Sequence, residues 1–187
     1  MEELVKKVVL ENQQVDLELA FYGGDDMETL SLIYRKWVEL SDLIQKNGGR
    51  RINIPELLSE AIFCFHFKAG RVLKGNSKIN TSFDCLTIDP VRRIQVKSCS
   101  VEYDLTSFGP KSVWDDIYFV HLFPSGSYDG SYKIYKIEND LIYNHKVNAN
   151  HTFADQQKLN RRPRFSLMKE LIKPRNIQPV IEDSLIV

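Results

Sequence analysis

Apolar residues recur at helical spacing in two segments of the first third of the chain. Over residues 27–45 they lie three or four positions apart, and the Gly-Gly that follows Asn47 is a stop signal, so we predict an amphipathic helix. A second helix should begin near Pro55, because proline suits the first turn of a helix. Its predicted buried stripe consists of Leu57, Leu58, Ala61, Ile62 and Phe65.

From Arg71 onward the pattern changes to short runs with β propensity, among them SFDCLTID, RIQVKSCSV and the alternating YKIYKI. The dipeptide Asp89-Pro90 is a turn signal, so the first two runs are predicted to form an antiparallel hairpin within a β-meander. The first 26 residues are less decided. The run VDLELAFYGG has an extended pattern, whereas ELVKKVVLEN suits either a helix or a strand.

The predicted hairpin brings three polar side chains together. With Pro90 and Val91 as the two loop residues, Asp84 lies opposite Lys97, and directly opposed side chains point to the same face of a sheet. Gln95 shares that face because it lies two residues before Lys97. Any loop with an even number of residues preserves this arrangement, whereas an odd number would move Asp84 to the other face.

The chemistry of this face suits a metal ion. A carboxylate and an amide oxygen are hard ligands of the kind that Mg²⁺ prefers, and the backbone carbonyl of Val96 can add a third. An ammonium group beside the metal can orient an attacking water and stabilise charge on a phosphate. The sequence therefore predicts a Mg²⁺ site of Asp84, Gln95 and Val96, with Lys97 beside it. The alternative is a surface salt bridge between Asp84 and Lys97 that has no function.

Composition narrows the class of protein. A chain of 187 residues with 43% hydrophobic and 27% charged residues suits a single globular domain, which we place at residues 1–187. The chain has no apolar run of the roughly 18 residues that a membrane span needs, so we expect a cytoplasmic protein. The cysteines Cys64, Cys85 and Cys99 are expected to be buried, reduced thiols.

Charge is balanced overall but unevenly distributed along the chain. Residues 158–175 contain seven basic residues and the single acid Glu170, which suggests a polyanionic partner. Contacts with phosphates are therefore predicted for this segment, and the turn after the second strand of the hairpin offers two further candidates. The candidate residues are Arg161, Arg162, Arg164, Lys111 and Ser112.

The order of these residues resembles that of the PD-(D/E)XK nuclease superfamily, and within it the type II restriction endonucleases. In that superfamily a helix carries an acid, one strand carries an aspartate, and the next strand carries (D/E)-X-K. Here SEAIFCF contains Glu60, SFD contains Asp84, and QVK contains Gln95 and Lys97. The resemblance covers about residues 50–175 and is closest to the small catalytic subunit of a heterodimeric type IIS restriction endonuclease.

The resemblance implies an α/β fold with a restriction-endonuclease-like core, in which helices flank a mixed β-sheet, and a single nuclease domain. It also implies a Mg²⁺-dependent hydrolase of phosphodiester bonds in double-stranded DNA. In this activity Asp84, Gln95 and Glu60 would be metal ligands, and Lys97 would act at the attacking water. A larger nuclease subunit would then complete the heterodimer, and each subunit would cut one strand.

Two positions depart from the superfamily pattern. Phe83 replaces a proline that only shapes the backbone, whereas Gln95 replaces an acid and leaves the site one negative charge short. An inactive DNA-binding module on the same fold is therefore an alternative function. A homodimer that reads a short palindrome would be an alternative assembly, and Glu56 or Glu39 could take the place of Glu60.

Overall fold

The computed structural model describes residues 1–75, 79–80 and 82–185. The helices are α1 (Asp26–Lys46), α2 (Glu56–Phe67), α3 (Asn139–Tyr143) and α4 (Phe153–Lys158), with a π-helical turn at Met168–Ile172. The first five strands are β1 (Glu2–Leu10), β2 (Gln13–Phe21), β3 (Gly70–Lys74), β4 (Cys85–Ile88) and β5 (Val91–Ser98). The others are β6 (Thr106–Ser107), β7 (Asp116–His121), β8 (Ser131–Ile137), β9 (Arg164–Phe165) and β10 (Ile181–Ser184).

Within the described residues, eight strands form one sheet in the order β1-β2-β3-β4-β5-β7-β8-β10, and β6 and β9 form a separate small sheet. Neighbouring strands of the large sheet are antiparallel except β5 and β7, which are parallel. The predicted α/β architecture, a mixed sheet flanked by helices, is therefore confirmed and is consistent with a restriction-endonuclease-like fold. Of the helices in the described ranges, none is long and apolar enough to cross a membrane.

The N-terminal segment that the sequence left undecided forms a β-hairpin. Strands β1 and β2 pair along their length as far as Leu10 and Gln13, which flank a two-residue turn. The turn residues Glu11 and Asn12 have φ values of 52° and 60°. Positive φ at both central residues is typical of the tight turns whose twist matches that of a hairpin.

Helices α1 and α2 pack on one face of the large sheet, where Tyr34, Trp37 and Leu58 share a core with Ile94 of β5. Both helices were predicted, and their observed ends lie close to the predicted ones. A second core, around Phe108, packs on the opposite face of β7, since the side chains of a strand alternate between the two faces. The site described below lies where the elements of these two cores meet.

Helix α2 is buried over a wider surface than the predicted stripe. Phe63 and Cys64 are buried, whereas Leu57 and Phe65 are only half-buried. The reason is that α2 contacts α1 as well as several strands of the sheet, so it is apolar on most of its surface. The three cysteines are buried and free, which confirms the prediction of reduced thiols.

The loop between β4 and β5 has an even number of residues, as predicted, but the two strands pair in a different register. Ile88 pairs with Val91, so the loop residues are Asp89 and Pro90 rather than Pro90 and Val91. The hydroxyl of Thr87 donates to the carbonyl of Pro90 at 2.6 Å and helps to close this loop. The sequence indicated a turn at the proline but not which neighbour completes it.

The register shift places Asp84 opposite Gln95, so the prediction that it lies opposite Lys97 is wrong. Asp84 precedes β4 and extends its ladder, because its backbone N–H donates to the carbonyl of Ile94 at 2.9 Å. Lys97 lies two residues further along β5, beyond the end of β4. Since the loop still has an even number of residues, Asp84, Gln95 and Lys97 share one face as predicted.

Candidate active site

Strand β5 runs past the end of β4, and a cleft of about 290 Å³ opens there between β5, the first turns of α2 and β6. Side chains that line it include Glu56, Glu60, Asp84, Lys97, Thr106 and Ser107. Val96 also lines the cleft, whereas Gln95 is only 2% exposed and contacts Asp84 from within the protein. The structure thus brings together the residues predicted for the metal site.

One oxygen of the Asp84 carboxylate is held by two donors from β5. Its Oδ2 accepts the backbone N–H of Val96 at 2.8 Å and also the side-chain amide of Gln95. Within the described residues Oδ1 accepts no hydrogen bond, which leaves it available in the cleft. Burial raises the pKa of Asp84, and the charge of Lys97 and the two hydrogen bonds oppose this only in part.

Glu60 is a buried acid on the helix side of the cleft. It forms an ion pair with Arg71 of β3, with 2.5 Å between Oε2 and Nε. The pKa of Glu60 is raised to about 7, chiefly by burial and also by the charge of Asp84, while Arg71 opposes both effects. Glu60 and Asp84 therefore interact through the same cleft, although Glu60 already has a basic partner.

Of the three glutamates considered for the site, Glu56 and Glu60 line the cleft. Glu56 is exposed at the start of α2, and its charge contributes to the raised pKa values of Glu60 and Asp84. Glu39 lies on α1, where it is exposed and pairs with Lys36 at 2.8 Å. Its position outside the cleft argues against a role for Glu39.

The backbone of Val96 adds an oxygen to the cleft. In an extended strand the N–H and C=O of one residue point to the same edge, and the N–H of Val96 points to Asp84. Its carbonyl therefore points past the end of β4, towards the side on which Asp84 lies. The role of this carbonyl as a metal ligand stays a prediction.

These donors fit a cation that prefers oxygen ligands. The buried Glu60 and the half-buried Asp84, both with raised pKa values, lie beside a backbone carbonyl. A divalent ion would therefore compensate negative charge that the protein balances only in part. Among the described residues, no group of three or more His, Cys, Asp or Glu side chains could hold a metal by itself. Two carboxylates and one carbonyl would supply only part of the coordination shell of a hard cation, and waters would supply the rest.

The ammonium group of Lys97 lies on the opposite side of the cleft from α2. Its Nζ is 5.8 Å from the ring centre of Phe108, within the range of a cation–π contact. The charge of Lys97 lowers the pKa of Asp84, so the two side chains are close enough to interact. Lys97 is half-buried, which limits the positions that its side chain can take.

The basic segment predicted to contact phosphates borders the same cleft. Arg164 pairs with Ser107 in the small sheet of β6 and β9, and Ser107 lines the cleft. Arg161, Arg162 and Arg164 are all exposed, and none forms an ion pair with another described residue. Their charges are therefore available to a polyanion, and that of Arg164 lies beside the cleft.

The remaining predicted phosphate contacts lie near the segment that leads into Asp84. The carbonyl of Lys111 accepts the side-chain amide of Asn80 at 2.8 Å, and Lys111 is exposed. Ser112 is half-buried and closes a turn, since its backbone N–H donates to the carbonyl of Gly109 at 3.2 Å. The surroundings of Lys111 suit a phosphate contact better than those of Ser112.

Sequence reasoning missed three residues of the site. Arg71 forms an ion pair with Glu60. A basic partner on a neighbouring element could have been expected from the sequence, because a buried acid needs one. Thr106 and Ser107 line the cleft, and their buried hydroxyls have no hydrogen-bond partner among the described residues. Nothing in their spacing distinguishes these two residues from ordinary loop residues.

A mixed sheet with two acids and a lysine in a cleft at the end of a strand is consistent with the class of restriction-endonuclease-like nucleases. The model of the Bsp6I restriction endonuclease family matches residues 22–174, and the chain belongs to that family. The chain is 32% identical over 159 residues to the type II restriction enzyme Bsp6I of Bacillus sp. (strain RFL6). The alignment covers 81% of this chain and 84% of that enzyme. No solved structure matches the chain.

Family membership confirms the prediction of a type II restriction endonuclease and, with it, of a protein that binds DNA. The narrower resemblance, to the small subunit of a heterodimeric type IIS enzyme, stays a prediction. The same holds for the metal and for the roles of the individual site residues.

Proposed function

We propose that the protein is a Mg²⁺-dependent endonuclease of the PD-(D/E)XK type that hydrolyses phosphodiester bonds of double-stranded DNA. The observation that carries the proposal is the single cleft shared by Asp84, the Val96 backbone and Lys97. Arg164, which pairs with the cleft residue Ser107, and the exposed Arg161 and Arg162 that precede it suit a polyanionic substrate. Membership of a restriction endonuclease family supports the reaction class.

Asp84 and the Val96 carbonyl would hold the metal ion, with Glu60 as a second or outer ligand. Glu60 has to loosen its ion pair with Arg71 to take part. Gln95 would contribute its amide oxygen once the amide turns away from Asp84. When bound, Mg²⁺ supplies a Lewis acid that stabilises negative charge on the phosphate.

Lys97 would hold the water that attacks phosphorus. Its ammonium group can donate hydrogen bonds to that water and to a phosphate oxygen, which orients the water and stabilises the developing charge. The contact with Phe108 keeps the side chain against the wall of the cleft, so the ammonium group is positioned before the DNA arrives. Loss of this amine should therefore affect the chemical step more than DNA binding.

DNA would lie across the rim of the cleft. Arg161, Arg162 and Arg164 would contact phosphates on the side of β6 and β9, and Lys111 with Ser112 would add contacts near Asn80. Such contacts fix the position of the duplex and are salt-sensitive, but they carry no sequence information by themselves.

For the second DNA strand, we favour a second copy of the chain over a larger partner subunit. The Bacillus relative bears the name of a whole enzyme, and the alignment covers 84% of its length. A chain of this size would then act as a homodimer on a short palindrome. In the alternative heterodimer, the purified chain alone would cut one strand or none.

The test is cleavage of supercoiled plasmid by the purified protein in Mg²⁺. We expect linear product from the wild type, and a loss of activity of about 10²-fold or more in Asp84→Asn and Lys97→Ala, since each removes a group that acts at the reacting phosphate. Glu39→Gln and Lys36→Ala are matched controls on α1 and should keep wild-type activity.

A wild type that binds DNA but leaves the plasmid intact in Mg²⁺, with or without a larger subunit, would support the inactive DNA-binding module instead. Nicked plasmid as the final product of the wild type would support the heterodimer. Full activity of Asp84→Asn would contradict the proposed site.

A further inference from the structure

Strand β1 is an edge of the large sheet, with β2 as its one neighbour among the described strands. In a hairpin closed by a two-residue turn, the flanking residues Leu10 and Gln13 form a hydrogen-bonded pair. The backbone groups of even-numbered residues in β1 therefore point to β2. Those of Glu3, Val5 and Lys7 point outward, where the sheet leaves them unpaired.

The side chains of the odd-numbered residues are also unusual for a free edge. Val5 and Val9 are 67% and 65% exposed, and Glu3 and Lys7 are exposed beside them on the same face. Charged residues alone would discourage pairing with another strand, but here the two charges are opposite and lie four residues apart around Val5.

We propose that β1 pairs with β1 of a second copy of this chain, in an antiparallel ladder centred on Val5. A two-fold axis perpendicular to the sheet then sets Val5 against Val5. Glu3 of each copy lies directly opposite Lys7 of the other, and opposite charges on facing residues stabilise a sheet. The eight-stranded sheets of the two copies would join into one.

Other registers fit the charges less well. An axis centred on Glu3, Lys6 or Lys7 places two like charges directly opposite each other. An axis centred on Leu4 sets Glu2 against Lys6, but it pairs a shorter segment of the strands and places Val5 opposite Glu3. Of these registers, only the one centred on Val5 places both Glu3 and Lys7 opposite a residue of opposite charge and also covers an exposed valine.

The pairing of β1 rests on the proposed function in one respect, namely that the partner is a second copy of the chain. Association can be measured without DNA and without Mg²⁺, so a negative result would not count against the nuclease site. A positive result would likewise not depend on cleavage.

The test compares Val5→Cys with Val9→Cys, two positions of nearly equal exposure on the same face. The native thiols are buried, so the new cysteine is the reactive one. Facing residues of a hydrogen-bonded antiparallel pair have Cα atoms about 5.5 Å apart, which suits a disulfide. The two Val9 positions would lie about 27 Å apart, at about 3.4 Å per residue. Mild oxidation should therefore crosslink Val5→Cys into a dimer and leave Val9→Cys as a monomer.

A second measurement uses charge reversal and sedimentation at micromolar concentration. Glu3→Lys and Lys7→Glu should each be monomeric, because each sets like charges against one another in the dimer. An equimolar mixture of the two variants should restore the dimer, since every facing pair is then opposite in charge. A monomeric wild type, equal crosslinking of the two cysteine variants, or a mixture that stays monomeric would overturn the proposal.

Discussion

The side-chain amide of Gln95 and the backbone N–H of Val96 donate to the same oxygen of Asp84. Gln95 therefore acts as a neutral donor, at a position where the nuclease pattern that the sequence resembles has an acid. A second carboxylate in hydrogen-bond contact with Asp84 would repel it unless a cation or a proton lay between them. An amide at this position lets the cleft keep its geometry without an ion, but it adds no negative charge that could attract a cation.

This relationship predicts that Gln95→Glu makes the protein more dependent on metal. Without Mg²⁺ we expect the free energy of unfolding to fall by about 1–3 kcal/mol, because a buried hydrogen bond is replaced by two facing acids. With Mg²⁺ the loss should be recovered, and cleavage should need a lower Mg²⁺ concentration than in the wild type. Urea denaturation with and without Mg²⁺, together with a Mg²⁺ titration of plasmid cleavage, measures both effects.

Gln14→Glu, on the exposed side of β2, is the matched control and should change neither quantity. A Gln95→Glu protein that is equally stable in both conditions would show that this position does not contact the ion.

Disruption of the ion pair between Glu60 and Arg71 should lower the free energy of unfolding considerably. Arg71→Met leaves Glu60 buried without its partner, so the free energy of unfolding should fall by about 3–5 kcal/mol. Arg50→Met, at an exposed arginine, should have little effect on thermal or urea unfolding. Adding Glu60→Gln to Arg71→Met should recover part of the loss, and a double variant no more stable than Arg71→Met would contradict this interpretation of the pair.

The relative placement of the candidate site residues was more predictable from sequence than their surroundings, for a physical reason. The shared face of Asp84, Gln95 and Lys97 depends only on the parity of the loop, so it survived an error of two residues in the register. The basic segment could be identified from its charge alone, but its position relative to the cleft could not be predicted. Only the pairing of Ser107 with Arg164 brings it to the cleft, and two-residue strands have no recognisable sequence pattern.

The features that the sequence left open also depend on long-range packing. The N-terminal segment could be helix or strand by its local pattern, and its pairing across the turn at Glu11 and Asn12 decided the outcome. Arg71 could not be linked to Glu60 from sequence, because that contact depends on how β3 packs against α2. Local pattern thus identified the elements, while contacts between distant segments completed the site.

The buried histidine His121 predicts a loss of stability in acid. Burial lowers the pKa of His121 from 6.5 to about 4, and neither ring nitrogen has a hydrogen-bond partner among the described residues. Of the nearby charges, Glu102 raises this pKa, and Lys173 and Lys133 lower it. The folded state holds the proton of His121 less tightly than the unfolded state does. The contribution of uncharged His121 to the free energy of unfolding is therefore fully present above about pH 6.5 and is lost as the pH falls towards 4.

This shift corresponds to about 3 kcal/mol at pH 4, at about 1.4 kcal/mol for each tenfold change in proton affinity. Urea unfolding between pH 4 and pH 7 should therefore give a shallower pH dependence in His121→Gln than in the wild type. His151→Gln, at a half-buried position, is the control and should retain the wild-type dependence. Identical curves for His121→Gln and the wild type would contradict the prediction.

The basic segment predicts how DNA affinity should respond to salt. Each phosphate contact contributes about 0.9 to the slope of log affinity against log salt concentration, so replacing Arg161, Arg162 and Arg164 by alanine should lower that slope by up to about 2.7. The loss of affinity should be similar for cognate and unrelated duplexes, because phosphate contacts do not read sequence.

Fluorescence anisotropy with a short duplex in the absence of Mg²⁺, from 50 to about 200 mM salt, measures the slope without cleavage. Arg35→Ala, at an exposed arginine of α1, should leave the slope unchanged, and an unchanged slope in the triple variant would place the DNA elsewhere.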